Sequence, residues 1–332
     1  MHKLHIKILA ILSVIAMLLA FAGCKQGPAQ ESESATDNYH TITFNSNGGS
    51  RVDPIKVLHG HHATQPDDPV LSNFIFCHWE LPDGRTWFFD IKRVEEDLHL
   101  EAIWIKAETL FSIEPIPETS NIAITKIKKQ EEFNLLKVPS VINGKTVVEI
   151  SDEAFFGVHQ TYAKNILIPE TVTVLGDRAF SGISDVNITF NGAITYLGEA
   201  VFENSNCITG LKLGEGLEVI PFRAFANCVN LKTIDIPKGV TLIDENAFEN
   251  CESMVTIVIP ETLTTIANSA FEDCDTLKTV FYKGTPEQFE NIEISNRNDL
   301  FEAARVCYYS EQEPTTEGDF WHYGKNGMPT IW

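Results

Sequence analysis

The sequence predicts a mainly β chain: a solenoid of short strands with a period of about 23 residues, preceded by a small β domain and closed by a C-terminal cap. Three observations predict it. Phenylalanine recurs as Phe155, Phe180, Phe202, Phe225, Phe248 and Phe271, at steps of 25, 22, 23, 23 and 23. Five residues before each stands an aliphatic residue: Ile150, Leu175, Leu197, Ile220, Ile243 and Ile266. Upstream, Thr41 to Trp104 carries short runs of alternating polar and apolar residues broken by turn residues. A fixed period with aligned apolar columns means stacking, because one unit cannot bury its own apolar face.

The elements follow in chain order. In residues 1–23, Lys3 and Lys7 precede an apolar run from Ile8 to Phe21, the pattern of a secretory leader. It ends in "FAGC", Phe21 to Cys24. That ending resembles the bacterial lipobox, with Phe21 where the pattern usually has Leu. The resemblance implies cleavage before Cys24 and a diacylglycerol on its thiol. Residues 24–39 include "KQGPAQESESATDN", polar with almost nothing to bury, and read as a disordered stalk. Loss of the leader removes Lys3 and Lys7 and takes the formal charge from −21 to −23. So acidic a surface repels nucleic acid and anionic membrane surfaces. Calcium binding of the EF-hand type has no D-x-D-x-D-G loop to support it.

Residues 40–106 read as a small β domain. "TITF" alternates and stops at "NSNGG", Asn45 to Gly49, a strong turn signal. Pro54, Gly60, Pro66 and Pro69 mark further turns, and "NFIFCHW" and "LHLEAIW" are two more alternating runs. With "FFD", these runs resemble the Listeria–Bacteroides repeat, a compact β-grasp-like module of bacterial surface proteins. His78 and Glu101-Ala102 depart from its usual Gly-Trp and Tyr-Ala pairs. The resemblance implies a spacer or contact surface and no reaction. "HGHH", His59 to His62, offers imidazoles for a metal, but no carboxylate or cysteine flanks it, so it reads as a solvated loop. Trp79, Trp87, Phe88, Phe89 and Trp104 read as the domain core rather than a sugar-stacking platform.

Residues 107–284 hold the repeats. In "LKTIDIP", Leu231, Ile234 and Ile236 point inward and Pro237 ends the strand, since proline has no N–H for the ladder. "VTLIDENAF", Val240 to Phe248, turns back along a second wall. This L-x-x-I-x-I-P then I-x-x-x-A-F-x-x-C pattern, six units from Leu135 to Tyr282, resembles the BspA-like leucine-rich repeat of bacterial surface antigens. "VPSVINGKTVVEI", Val138 to Ile150, resembles that family's irregular opening unit. Residues 285–332 resemble its C-terminal cap, and Thr285, Pro286 and Gln288 suit N-cap, N1 and N3 of a helix.

Cys228, Cys251 and Cys274 each lie three residues after the motif Phe and predict a ladder of small buried thiols. No His or fourth Cys shares the register, so no metal is expected. Cys77, Cys207 and Cys307 show no pairing plan, and thiols rather than disulfides are expected.

The outward slot between the two inward strand residues holds Leu167, Thr189, Lys212, Asp235, Val258 and Phe281, one per rung. A neighbouring slot holds Thr209, Lys232, Val255 and Lys278. Val255, Val258 and Phe281 are thus either an apolar partner patch or the floor beneath the cap. No G-x-S-x-G, H-E-x-x-H, Walker loop or C-x-x-C occurs, and the acid pairs Glu95-Glu96 and Glu131-Glu132 are adjacent and diverge on a strand. With apolar repeated positions and variable polar ones, the layout is that of a non-enzymatic binding scaffold. It needs no cofactor, is anchored by lipid to the outer face of a bacterial membrane, and contacts a protein or glycan of a host or neighbouring cell. A structural envelope spacer and a hydrolase with an unrecognised site are the alternatives.

Overall fold

The computed structural model describes residues 38–128, 133–158, 163–206, 208, 211–315 and 317–332. The predicted leader, Cys24, the stalk up to residue 37, Glu131-Glu132, Cys207 and Thr209 lie outside them; Tyr39, which the sequence placed at the end of the disordered stalk, is instead the first residue of a strand. Tyr39–Trp332 forms one compact unit.

Its first part is a four-stranded mixed sheet. Tyr39–Asn45 lies between Ile55–Leu58, antiparallel, and Leu98–Lys106, parallel, and Phe74–Glu80 closes the far edge. Ile42, Trp79, Trp87, Phe89 and Leu100 form its core, while Phe88 is exposed and Trp104 half-buried. Four of the five aromatics therefore serve packing, and Phe88 points away from it. His61–His62 form a two-residue strand with Arg93–Val94, and the His59 ring meets His40 Nε2 at 2.8 Å. The HGHH stretch is exposed but has more structure than a loop.

From Phe111 onward the chain winds into a stacked column of about 8 turns. Each turn has three sides. One is a strand that runs into the motif proline, such as Thr233–Asp235 and Thr256–Ile259, paired in parallel and followed by Thr279–Tyr282, which has Lys283 at the proline's place. The second is a two-residue strand such as Leu242–Ile243, next to Thr265–Ile266. The third is the A-F turn, where backbone bonds again run from rung to rung: Phe225 N–H to the Ala247 carbonyl and Phe248 N–H to that of Ala270, both 2.8 Å. Each such turn needs two left-handed residues, for example Arg223 (φ 52°) and Asn227 (φ 58°), or Asn246 (φ 58°) and Asn250 (φ 56°). Asn tolerates that region best, and the inter-rung bonds hold the others in it.

The interior follows the apolar columns. The six motif phenylalanines are fully buried and stack face to face at 5.2 to 5.7 Å between centroids. Phe111 stands 6.1 Å from Phe155 at one end, and Phe301 stacks at 4.7 Å on Phe271 at the other. The cap therefore imitates one more rung. Buried Asn298 completes the imitation: its Oδ1 accepts the Phe271 N–H at 3.0 Å, as the next rung's carbonyl would, and its Nδ2 donates to the Ala267 carbonyl at 2.9 Å. Cys228, Cys251 and Cys274 are buried thiols that donate to the carbonyls of Phe202, Phe225 and Phe248 at 3.1, 3.3 and 3.1 Å. Ser205 fills the same slot one rung earlier, with its hydroxyl 2.6 Å from the Phe180 carbonyl. Thr285 and Gln288 form the predicted capping box on Pro286–Phe289.

Candidate interaction surface

The outward face of the proline-ended strands is the side that carries the predicted partner residues. It consists of two sheets. Phe133–Lys137, Ala163–Ile168 and Asn187–Phe190 form the first, and Leu167 stands in register with Thr189. The second runs through Thr233–Asp235, Thr256–Ile259, Thr279–Tyr282 and Arg305–Tyr309 to Phe320–Tyr323 and Pro329–Ile331.

Lys212 does not continue the column of Thr189. It pairs with Ala193, while Ile208 bridges to Ile188. The stretch from Gly210 to Gly216 carries three glycines, which weaken a strand, and only Lys212–Leu213 remains extended. Lys212 is exposed at the corner between the sheets instead.

Val258 and Phe281 are not outward contacts either: they are 1% and 6% exposed. Both share a buried cluster with Cys307 and Trp321. The cap strand Phe320–Tyr323 adds parallel to Arg305–Tyr309, which puts Trp321 on the same face as Phe281, with ring centroids 5.3 Å apart. Trp321 Nε1 donates to the Tyr282 carbonyl at 3.0 Å. The cap thus covers the apolar floor and leaves Val255 exposed at its margin. Asp235 is exposed but engaged. It accepts from Lys283 Nζ at 2.7 Å and from the Tyr323 hydroxyl at 2.6 Å. Burial, and next the bond to Asp235, push the Tyr323 hydroxyl far above the usual tyrosine range.

Along the wall, Thr233, Thr256 and Thr279 align, with a 3.0 Å bond between the Thr256 and Thr233 hydroxyls. Lys232 and Lys278 flank this row, each next to Val255 through backbone bonds. Tyr309 and Tyr323, which sequence reasoning missed, remain 39% and 37% exposed beside Trp321. Their signal was the alternation in "RVCYY" and "FWHY", which predicts two more strands of the same sheet. Leu167 lies at the other end, in a cleft of about 490 Å³ between the N-terminal domain and the solenoid, with Val70, Trp104, Val141 and Asn191. Asp68 and Lys137 form a 2.7 Å ion pair on that cleft. Among the described residues, no three His, Cys, Asp or Glu side chains are grouped to hold a metal.

A parallel solenoid with buried aliphatic and phenylalanine columns, strands on one wall and turns on another defines a leucine-rich-repeat protein. Residues 125–254 and 202–300, more than half the chain between them, match the BspA type leucine rich repeat region in 6 copies, and the chain belongs to that family. Among solved structures, a leucine rich cell surface protein of Faecalibacterium prausnitzii A2-165 is 26% identical, with TM-score 0.37, over 55% of this chain and 40% of its own. The leucine rich repeat protein of T. pallidum is 27% identical, with TM-score 0.36, over 57% of this chain and 80% of its own. A curated protein of Evansella cellulosilytica, named as a membrane protein, is 34% identical over 79 residues, which is 23% of this chain and 12% of that protein. The chain thus spans about an eighth of that relative's length.

Proposed function

We propose that this protein is a binding or adhesion protein of the bacterial cell envelope, held by lipid on Cys24, that offers its outer solenoid wall to a protein or glycan partner and catalyses nothing. One observation carries the reading. The motif phenylalanine and aliphatic positions are buried in the stack, while Thr189, Lys232, Thr233 and Val255 stand open on one side. A rigid apolar column with a variable exposed wall is how solenoids present an extended recognition surface. The surface-protein family and the membrane-protein name of the Evansella relative agree with an envelope location.

The test is a screen of soluble residues 38–332 against arrays of matrix proteins, mucins and glycans, with captured material checked by mass spectrometry. Saturable capture of an intact molecule supports the reading. A cleaved one replaces it with an enzyme, and no capture by folded protein leaves the envelope spacer. Anchoring is tested separately: radiolabelled palmitate enters the full-length chain, and Cys24→Ala abolishes the label.

A further inference from the structure

We propose that the outer wall of the C-terminal sheet binds an acidic polysaccharide, a proposal that rests on the binding reading above and names the partner's chemistry. Three features of that wall converge. The first is charge. The chain is strongly acidic, at −21, yet this wall presents cations. Lys232 and Lys278 are exposed, and among the described residues neither takes part in an ion pair or side-chain hydrogen bond. Adjacent strands are about 4.8 Å apart, so these two lysines, two strands apart, stand about 10 Å apart along the solenoid axis. Lys212 is a third exposed cation without such a partner at the neighbouring corner. Arg305 lies on the next strand, in register with Thr279, and is held by Asp319. Cations kept without internal partners on an acidic protein favour an anionic ligand, and their spacing along one line suits a polymer.

The second feature is hydroxyl-rich flatness. Thr233, Thr256 and Thr279 form a row along the same axis, and short threonines leave the wall without protruding side chains. Hydroxyls donate and accept, as sugar hydroxyls do.

The third is aromatic. Tyr309 and Tyr323 present partly open rings at the opposite margin of the wall, fixed against Trp321 at 5.1 and 5.0 Å. Asp235 anchors the Tyr323 hydroxyl, so that ring is positioned before any ligand arrives. A rigid aromatic with a polar tip covers the apolar face of a pyranose at little entropic expense. Cations alone suit any polyanion. The threonine row, matched to the donors and acceptors of sugar hydroxyls, favours a glycan over nucleic acid.

The experiment uses soluble residues 38–332 and three immobilised acidic glycans, heparin, hyaluronan and polygalacturonate, with dextran and single-stranded DNA as comparisons. The expected result is saturable binding to at least one acidic glycan, weakened by salt, and none to dextran. The Lys232→Ala/Lys278→Ala variant should lose about tenfold in affinity or more. Tyr309→Ala should lose binding at a salt concentration where the lysine contacts are screened. Both sites are on the surface, and unchanged thermal unfolding confirms that the variants fold. Equal binding to DNA, or glycan binding indifferent to the lysine pair, overturns the proposal. If proteins are captured in the broader screen but no acidic glycan binds, the binding reading stands and this proposal falls. If nothing is captured, both fall.

Discussion

The indole N–H of Trp321 donates to the backbone carbonyl of Tyr282 at 3.0 Å, across 39 residues of sequence. That bond seats the last tryptophan-bearing strand over Phe281 and Val258 and turns a would-be sticky patch into the inside of the cap. Trp321→Ala should therefore destabilise the chain by about 3–5 kcal/mol, as for other buried large-to-small changes. It should also raise binding of a hydrophobic dye in the folded state. Chemical denaturation measures the first and dye fluorescence the second. An unchanged midpoint with unchanged fluorescence would show that the cap does not cover the floor.

The phenylalanine column makes a second prediction. Phe225 is fully buried between Phe202 and Phe248, 5.5 and 5.2 Å away. Phe225→Ala removes one large side chain and two stacked ring pairs, so it should destabilise by about 3–5 kcal/mol. Phe225→Leu keeps the volume nearly filled and should lose much less. Comparable losses for the two would mean that ring stacking, not filling, holds the column.

Gly176 tests the second wall. A Cβ there would collide with Oδ1 of Asp152 and with its backbone N, and would meet the Ser151 carbonyl carbon at 2.8 Å. Asp152 Oδ1 accepts the Asp177 N–H at 2.8 Å, so the carboxylate is bound where the methyl would go. Gly176→Ala should destabilise by about 1–3 kcal/mol through overpacking. Adding Asp152→Ala should not restore stability, because the backbone of Ser151 and Asp152 is in the way as well. Full rescue in the double variant would contradict this.

Alkaline pH should loosen the fold. A hydrogen bond with Cys274, and next burial, hold the Cys251 thiol well above its usual pKa. Burial is the chief cause that raises the pKa of Cys307, Tyr282 and Tyr308. These acids hold their protons more tightly when folded. The stability they contribute is complete below the unfolded-state pKa values, about 8.5 for Cys and about 10 for Tyr, and is lost as pH rises through the folded values. Denaturation midpoints should thus fall from about pH 9 upward, and a thiol reagent at pH 8 should leave Cys251 unmodified until the chain unfolds. A flat profile from pH 8 to 11 would contradict it.

Much of this fold was legible because its determinants repeat. Phe202, Phe225, Phe248 and Phe271 occupy the same slot on successive rungs, so a column in space is a period in sequence. The capping box at Thr285 was legible for a different reason: its partners lie three residues apart in one local motif. The outer wall was less so. The departure of Lys212 from the Thr189 column depends on where a glycine-rich strand starts, which apolar spacing does not determine. The cover over Phe281 depends on Trp321, and a contact between distant segments leaves no period to read.

The most direct test of the central claim sets one wall of the solenoid against another. Thr256→Glu places a longer, anionic side chain on the outer wall, and Thr264→Glu places the same change beside the second wall of the same turn, next to Thr265–Ile266. Both are measured for capture of whatever partner the 38–332 segment retains. Thr256→Glu should abolish capture while Thr264→Glu retains it, with both variants folded. Capture that survives Thr256→Glu and is lost with Thr264→Glu would contradict the assignment of the binding wall.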